Sequence, residues 1–475
     1  MKQITSASPW SNAEAFYRDR DHRTQIEVPN LRSYCSVPVE IHVDPSAAED
    51  ATLQRAVIVA CNLTARWARN IRVVVPNVSL VGPLRYGADK SLSHRIAREM
   101  RNADPFGDFE IGEHYRASLR RDPLRLWIGA GDLRGASELD YVVDAAGWSV
   151  IGQRAVRWKN ISRTQATAPA AALAGAIGAA DLFKRAIGHP PARWFSEFNW
   201  CTWDNNFSND PLHLPFVPAA PESVDTGNIL LAGVGAVGSA LIYILGLMPL
   251  TGRFTVLDID CVETSNLNRS PLFSADDAAA GRRKTSVAKR FLGSLGIQTD
   301  VLDGSWAEHS ESLSRAGLDA WISLTNEHAA WAQVPFQLPP VVLHGTTTSG
   351  WGAGFGRHIP RKEDCTACRM PRPFAEFRGP CAEGNINTEQ APPLRASLPF
   401  LSSVSAALIA TELLKLDMGV QSPGNSISVD FLFGLRSVVS TFYGANPHCP
   451  GCRMAALPLW VERGGKSRYA KLSAA

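Results

Sequence analysis

Between positions 258 and 284 the chain reads Asp258-Ile-Asp260-Cys-Val-Glu-Thr-Ser-Asn266-Leu-Asn268-Arg269, then a short acidic loop, then Gly281-Arg-Arg-Lys284. Arg269 offers a planar fork of donors and Lys284 a compact point charge near a helix start. In-line attack at the α-phosphorus of a triphosphate, which carries about four charges, needs cations of both kinds aimed at developing negative charge. Four cysteines form a second constellation, Cys365-Thr-Ala-Cys368 and Cys449-Pro-Gly-Cys452. Two such pairs can close a tetrahedral thiolate site around Zn²⁺, leaving no open ligand position, so the ion is structural. Redox chemistry is the rival reading, although two separate redox pairs in one domain would be unusual.

The acidic and basic residues need a scaffold, and the preceding stretch supplies one. An apolar run, Asn228 to Ala232, leads into Gly233-Val-Gly235-Ala-Val-Gly238; a helix from Ser239 to Leu247 and a strand from Phe254 to Asp258 follow. This is strand, glycine turn, helix, strand, with Asp258 20 positions after the last glycine. The glycines have separate jobs: a tight turn, close approach of backbone to a phosphate, and close packing of helix on strand. Helix-start N–H groups then face an anion, and Asp258 can accept ribose hydroxyl hydrogen bonds. Alone, the turn fits a nicotinamide or flavin dehydrogenase equally well. The cations after Asp258 favour ATP.

The run from Asp258 to Arg269 resembles the signature Asp-x-Asp-x-Val-x-x-Ser-Asn-Leu-x-Arg of the ThiF/MoeB/ubiquitin-activating-enzyme superfamily. The resemblance covers roughly the C-terminal half. It implies binding of ATP and Mg²⁺, with Gly233, Gly235 and Gly238 shaping the phosphate turn and Asp258 holding the ribose. Asp260, Asn266, Arg269 and Lys284 then surround the phosphates. Where the superfamily has Thr-Asp-Asn with an Asp on Mg²⁺, this chain has Thr325-Asn326-Glu327. Asn326 can offer a carbonyl oxygen but no charge to a hard cation that prefers carboxylates, and Glu327 or Asp260 is the available compensation. Relatives carry a Cys-x-x-x-Gly in a loop crossing over the nucleotide, matched here by Gly379-Pro-Cys381-Ala-Glu-Gly384. Cys381 is therefore expected to take up the activated carboxyl group as a thioester, with Arg378 near enough to lower its pKa. A spare loop thiol is the bland alternative. Cys261 lies inside the signature, where burial is expected instead, and His328, His344 and His448 read as packing or hydrogen-bonding residues.

The implied function is ATP-dependent activation of the C-terminal glycine of a ubiquitin-like protein, by adenylation and then transfer through Cys381 to a conjugating enzyme. The two-half layout looks like the activating enzymes of bacterial ubiquitin-like operons, the BilD type linked to antiviral defence. The alternatives are a sulfur-carrier adenylyltransferase of the ThiF/MoeB kind and a catalytically weak nucleotide-binding scaffold.

At 475 residues the chain exceeds one ordinary domain. Hydrophobic residues at 45% and charged ones at 20% describe a folded protein, and a net charge of +3 does not indicate a nucleic-acid binder. No charge falls between Asp225 and Arg253, but Gly233, Gly235 and Gly238 within it sit at turn positions, so a buried strand and helix are expected, not a membrane span. The N-terminus shows no basic start followed by an apolar core, and a cytoplasmic protein is expected.

A faint internal repeat suggests how the chain is organised. Asp181-Leu-Phe-Lys184 with Gly188 corresponds to Glu412-Leu-Leu-Lys415 with Gly419, and Gly147-Trp148 and Arg154 echo Gly350-Trp351 and Arg357. The second copy is 28 positions longer between its arginine and lysine, and the excess spans Cys365, Cys368 and Cys381. The resulting expectation is α/β throughout. A polar segment (1–36) precedes a degenerate α/β pseudo-adenylation domain (37–202). After a linker (203–226) comes a Rossmann-like adenylation domain with a mostly parallel sheet (227–463), then a tail (464–475). Such a chain is a monomer with an internal pseudo-dimer, or a homodimer as single-domain relatives are.

Overall fold

The computed structural model describes residues 10–472 apart from 82–88, 114–121, 130–132, 134, 160–163, 220, 222, 316, 326–327, 338, 349–350, 370–397, 456–465 and 470. Among the described residues, sixteen strands form two eight-stranded sheets. The first contains β1 (Val39–Val43), β2 (Asn70–Val74), β3 (Asp108–Gly112), β4 (Leu124–Ile128), β5 (Tyr141–Ala146), β6 (Ser149–Arg154), β7 (Phe198–Cys201) and β8 (Phe207–Ser208). The second contains β9 (Val224–Ala232), β10 (Leu250–Asp258), β11 (Gln298–Asp303), β12 (Ala320–Ser323), β13 (Val342–Thr347), β14 (Gly352–His358), β15 (Ser426–Asp430) and β16 (Val438–Thr441).

Their orders are β3-β2-β1-β4-β5-β6-β7-β8 and β11-β10-β9-β12-β13-β14-β15-β16, so one sheet repeats the other strand for strand. In each, the first five strands pair in parallel and the last three are antiparallel. The chain leaves β9 toward β10 and β11, then crosses back to β12 on the other side. That reversal opens a crevice at the carboxyl ends of β9 and β12, where doubly wound sheets bind ligands.

The helices Ala51–Ala65 and Ala168–Ala186 cover the first sheet, and Ala236–Leu245 and Leu401–Asp417 cover the second. Every residue of Ala168–Ala186 is buried. Its alanines and glycines permit that: a Cβ on Gly175 would lie 3.1 Å from Val59 Cβ, tight against the neighbouring helix. This helix meets Leu401–Asp417 across the seam, and a single apolar cluster runs from Phe16 to Tyr469 through both halves.

Two reciprocal contacts lock the seam. Lys184 donates to the carbonyls of Phe431 and Leu432 at the end of β15, the latter at 3.0 Å. Lys415 donates to the Thr202 carbonyl at the end of β7 (2.7 Å) and to Ser422 Oγ (2.6 Å). Beneath each lysine lies an ion pair to a buried carboxylate, Arg154–Asp181 in the first half and Arg357–Glu412 in the second.

Three features depart from the sequence reading. The polar N-terminal segment contains a helix, Ala13–Glu27, capped by Asn12 and buried through Phe16, Tyr17, Arg20, Asp21 and Thr24. It hides charge by pairing it: Arg20 bridges Asp21 at 2.6 Å and Asp104 at 2.8 Å. The expected linker contributes edge strand β8, and its Trp203 packs on Trp148 with ring centroids 5.0 Å apart. A helix, Leu92–Ala103, also falls in a stretch to which the sequence reading assigned no element, although its buried Leu92, Ile96, Met100 and Ala103 recur at helical spacing. No helix among the described residues is long and apolar enough to cross a membrane.

Candidate active site

Three backbone details make the glycine turn open to a ligand. Gly233 has φ +97°, and a Cβ there would sit 2.7 Å from the Leu324 carbonyl, so the turn presses directly on the loop after β12. Gly238 lies under the Gly233 carbonyl, where a Cβ would collide. Gly235 differs: among the described residues nothing lies within 4 Å of where its Cβ would be. It begins the helix Ala236–Leu245 with no side chain capping the first turn. Among the described residues no side chain caps the N–H groups of that turn, so they and the positive end of the helix dipole make a place suited to an anion. Thr325 Oγ1, in the adjoining loop after β12, is buried with no partner among the described residues.

The first half closes the same position with its own carboxylates. After β1, Asp44 accepts from Ser46 N at 3.0 Å and Asp50 from Thr52 N and Leu53 N at 2.7 and 3.0 Å. The helix Ala51–Ala65 is capped and no glycine cradle exists there.

Asp258, at the end of β10, accepts from Val234 N (2.6 Å) and Asp260 N (2.8 Å), which pins the carboxylate against the turn. Burial pushes its pKa up, while Lys284 and the two N–H donors pull the other way. Asp260 is largely exposed and pairs with the buried Lys284 ammonium at 2.7 Å. Lys284 opens the helix Lys284–Ser294, and its own N–H bonds the Asp260 carbonyl at 3.1 Å. Asp258, Asp260 and Lys284 thus line one rim of the turn.

Asn266 ends a 3₁₀ turn, Thr264–Asn266, and its Oδ1 accepts from Glu263 N at 3.0 Å. Arg269 is buried and its Nη1 donates to Ser265 O (2.7 Å) and Asn268 Oδ1 (2.8 Å). The first half braces this segment: Asn268 Nδ2 bonds Thr24 Oγ1 (2.8 Å), and Trp10 Nε1 bonds Thr264 Oγ1 (3.3 Å). Nothing in the sequence pattern pointed to Thr24 or Trp10, because both act through tertiary contact. Cys261 is exposed, contrary to the burial expected of it. Asn326, Glu327 and Cys381 lie outside the described residues, as does Arg378.

Cys365, Cys368, Cys449 and Cys452 converge, with all four sulfurs within 4.8 Å of one another. Separations of 3.8, 3.7 and 3.4 Å for 365–368, 365–449 and 368–452 approach the spacing of about 3.8 Å that Zn–S bonds of about 2.3 Å impose on a tetrahedron. A Cβ on Gly451 would lie 2.8 Å from Cys365 Sγ, so the second pair needs that glycine. The donor set and its geometry suit Zn²⁺. His344 is buried, as a packing residue would be, with Trp331 edge-on and His358 stacked 5.0 Å away. Burial holds its pKa well below the usual histidine range.

The ThiF family matches residues 214–451, half of the chain, and the protein belongs to that family. The preceding residues, 38–196, match the BilD N-terminal domain. Among curated proteins, the chain is similar to the sulfur carrier protein ThiS adenylyltransferase of Bacillus subtilis, 25% identical over 175 residues, 34% of this chain and 50% of that protein. It is also similar to the uncharacterized protein y4jF of Sinorhizobium fredii, 37% identical over 87 residues, 18% of this chain and 16% of that one. The chain thus spans half the length or less of these two relatives. The Microcin C7 biosynthetic enzyme MccB in complex with N-formylated MccA is 20% identical at a TM-score of 0.37, covering 48% of this chain and 67% of that one. E. coli MccB with ATP is 20% identical at 0.38, with 48% and 66% covered. These likenesses are too distant to add to the fold class.

Proposed function

We propose that this chain activates the C-terminal carboxylate of a ubiquitin-like protein by ATP-dependent adenylation. The observation that carries the reading is the uncapped helix start behind Gly235, flanked by Asp258 and Lys284. Phosphates would lie on the N–H groups of Ala236 to Gly238, the ribose on Asp258. Lys284 would exchange Asp260 for a phosphate oxygen, which frees the exposed Asp260 carboxylate. Arg269 would exchange the Ser265 carbonyl in the same way. Asp260 is one residue able to help hold Mg²⁺, which when bound would offset charge on the phosphates; Asn326 and Glu327 are the others named by sequence. The incoming carboxylate oxygen forms a bond to the α-phosphorus as the bond to pyrophosphate breaks, giving an acyl-adenylate.

Cys381 is proposed to displace AMP from that adenylate, its thiolate forming the thioester and passing the acyl group to a conjugating enzyme. A bacterial ubiquitin-like conjugation system, of antiphage role, is the setting the match to the BilD N-terminal domain supports. A sulfur-carrier adenylyltransferase is the second reading, favoured by the ThiS adenylyltransferase similarity. The four cysteines are proposed to hold a structural Zn²⁺, and the two halves to act as one internal pseudo-dimer. A cytoplasmic location is kept as part of the same reading.

ATP–pyrophosphate exchange decides it. Exchange that depends on a glycine-terminated ubiquitin-like protein is expected; its absence with ATP and Mg²⁺ present overturns adenylation. In Cys381→Ala, exchange is expected to persist while a reductant-labile adduct with the partner disappears. If wild type forms no such adduct but still exchanges, the sulfur-carrier reading takes its place.

A further inference from the structure

The first half lacks a glycine cradle, yet it reaches the other half's phosphate-side loop from below. Arg66, at the end of the helix Ala51–Ala65, is 1% exposed, and its guanidinium points across the seam. Nη1 donates to Leu267 O at 2.5 Å, and Nη2 donates to Pro271 O at 2.9 Å and Phe273 O at 3.2 Å. These carbonyls belong to positions two before, two after and four after Arg269. The loop is thus folded around one guanidinium, with Arg269 at its apex.

Arg66 is itself held. Its Nε donates to Asn62 Oδ1 at 2.8 Å, and Asn62 Nδ2 donates to Glu99 Oε2 at 2.7 Å and to Pro271 O at 3.2 Å. Glu99 in turn pairs with Arg95 at 2.8 Å. A line of buried polar groups therefore runs from the helix Leu92–Ala103 through Ala51–Ala65 into the loop. Burial pulls the Arg66 pKa down to about 10, so the group is still charged at neutral pH. A buried guanidinium is costly unless its donors are matched. Here the match is made by the main chain of the other half, so the loop has one conformation that satisfies it.

We infer that Arg66 is a positioning residue for phosphate binding: the non-adenylating half fixes the backbone of the Arg269 loop, and so aims the Arg269 guanidinium. Thr24, bonded to Asn268, does the same from the other side, since Asn268 Oδ1 accepts from Arg269. Lysine cannot replace Arg66, because one ammonium cannot span three carbonyls in a plane. This rests on the reading of Arg269 as a phosphate ligand.

The test is calorimetric titration of the full chain with ATP–Mg²⁺ and, separately, with adenosine, for wild type, Arg66→Lys, Arg269→Ala and the double variant. Arg66→Lys is expected to weaken ATP about tenfold and leave adenosine binding unchanged, because Asp258 and the glycine turn are untouched. The double variant is expected to bind ATP no more weakly than Arg269→Ala alone. Additive losses, or equal weakening toward adenosine, would reduce Arg66 to a structural part and overturn the inference. If Arg269→Ala itself binds ATP like wild type, the phosphate role of Arg269 has failed instead. Asn62→Ala loosens the guanidinium without deleting it. It is expected to give a milder form of the same pattern, and it decides the matter if Arg66→Lys does not fold.

Discussion

Gly235 and Gly238 stand three positions apart and answer to different forces. A methyl group on Gly235 would meet nothing among the described residues, whereas one on Gly238 would strike the Gly233 carbonyl. Gly235→Ala is therefore expected to melt close to wild type but bind ATP at least about tenfold more weakly, because phosphate needs the bare backbone. Gly238→Ala is expected to lose about 1–3 kcal/mol of stability from overpacking, read as a shifted denaturant midpoint. Equal effects of the two substitutions on melting would show that the turn is not organised this way. Asp258 illustrates a second residue-scale balance. Burial raises its pKa, but its bonds to Val234 N and Asp260 N hold the carboxylate in a form ready to accept from a hydroxyl.

Among the elements, the helix Pro450–Met454 carries Cys452 and begins directly after Cys449. Its place against the 3₁₀ turn Thr366–Arg369 would depend on an ion held by the four converging sulfurs. Trp331 extends that dependence: its carbonyl accepts from Thr366 Oγ1 at 2.7 Å and its Nε1 donates to Thr325 O at 2.9 Å. Cys452→Ser is expected to abolish stoichiometric zinc in elemental analysis and to lower the melting temperature by roughly 5–10 °C. Full zinc content in that variant would exclude the four-cysteine site. The helix Ala13–Glu27 shows why polar composition misleads at this scale. It is buried through charged side chains that find partners only after folding, so its sequence carries little apolar periodicity.

For the whole molecule, the seam joins two copies of one topology, and buried charge sits beneath it. Arg357 is fully buried between Glu363 and Glu412. Burial pushes the Glu412 carboxyl up, but Arg357 and Lys415 outweigh it and hold its pKa below the ordinary 4.5. A carboxylate with a depressed folded pKa binds fewer protons folded than unfolded. Its contribution is whole above about pH 4.5 and is lost as pH falls through the folded value. Glu412→Gln is expected to cost about 1–3 kcal/mol at neutral pH, since it removes one of the two carboxylates facing the buried Arg357 guanidinium while Glu363 still pairs with it. The variant should also lose less further stability on acidification than wild type, as measured by denaturant midpoints from pH 7 to 3. An acid limb as steep as wild type's would place that titration elsewhere.

Short-range chemistry was legible along the chain. Strand, glycine turn, helix and strand between residues 224 and 258 depend on neighbours in sequence, and each occurs within a few residues of where it was expected. The repeat glimpsed in two helix ends corresponds to two sheets of one strand order. Weak or paired-charge elements, such as β8 and the N-terminal helix, left no such trace. By itself the sequence determined the α/β class, the family and the two cysteine pairs, because each is written in local pattern or exact spacing. Only the tertiary structure decided that Arg66 would meet Leu267, 201 positions away, or Lys184 meet Phe431, 247 away. Those partners are backbone carbonyls, which every residue carries, so no side-chain identity marks them until packing brings the two halves together.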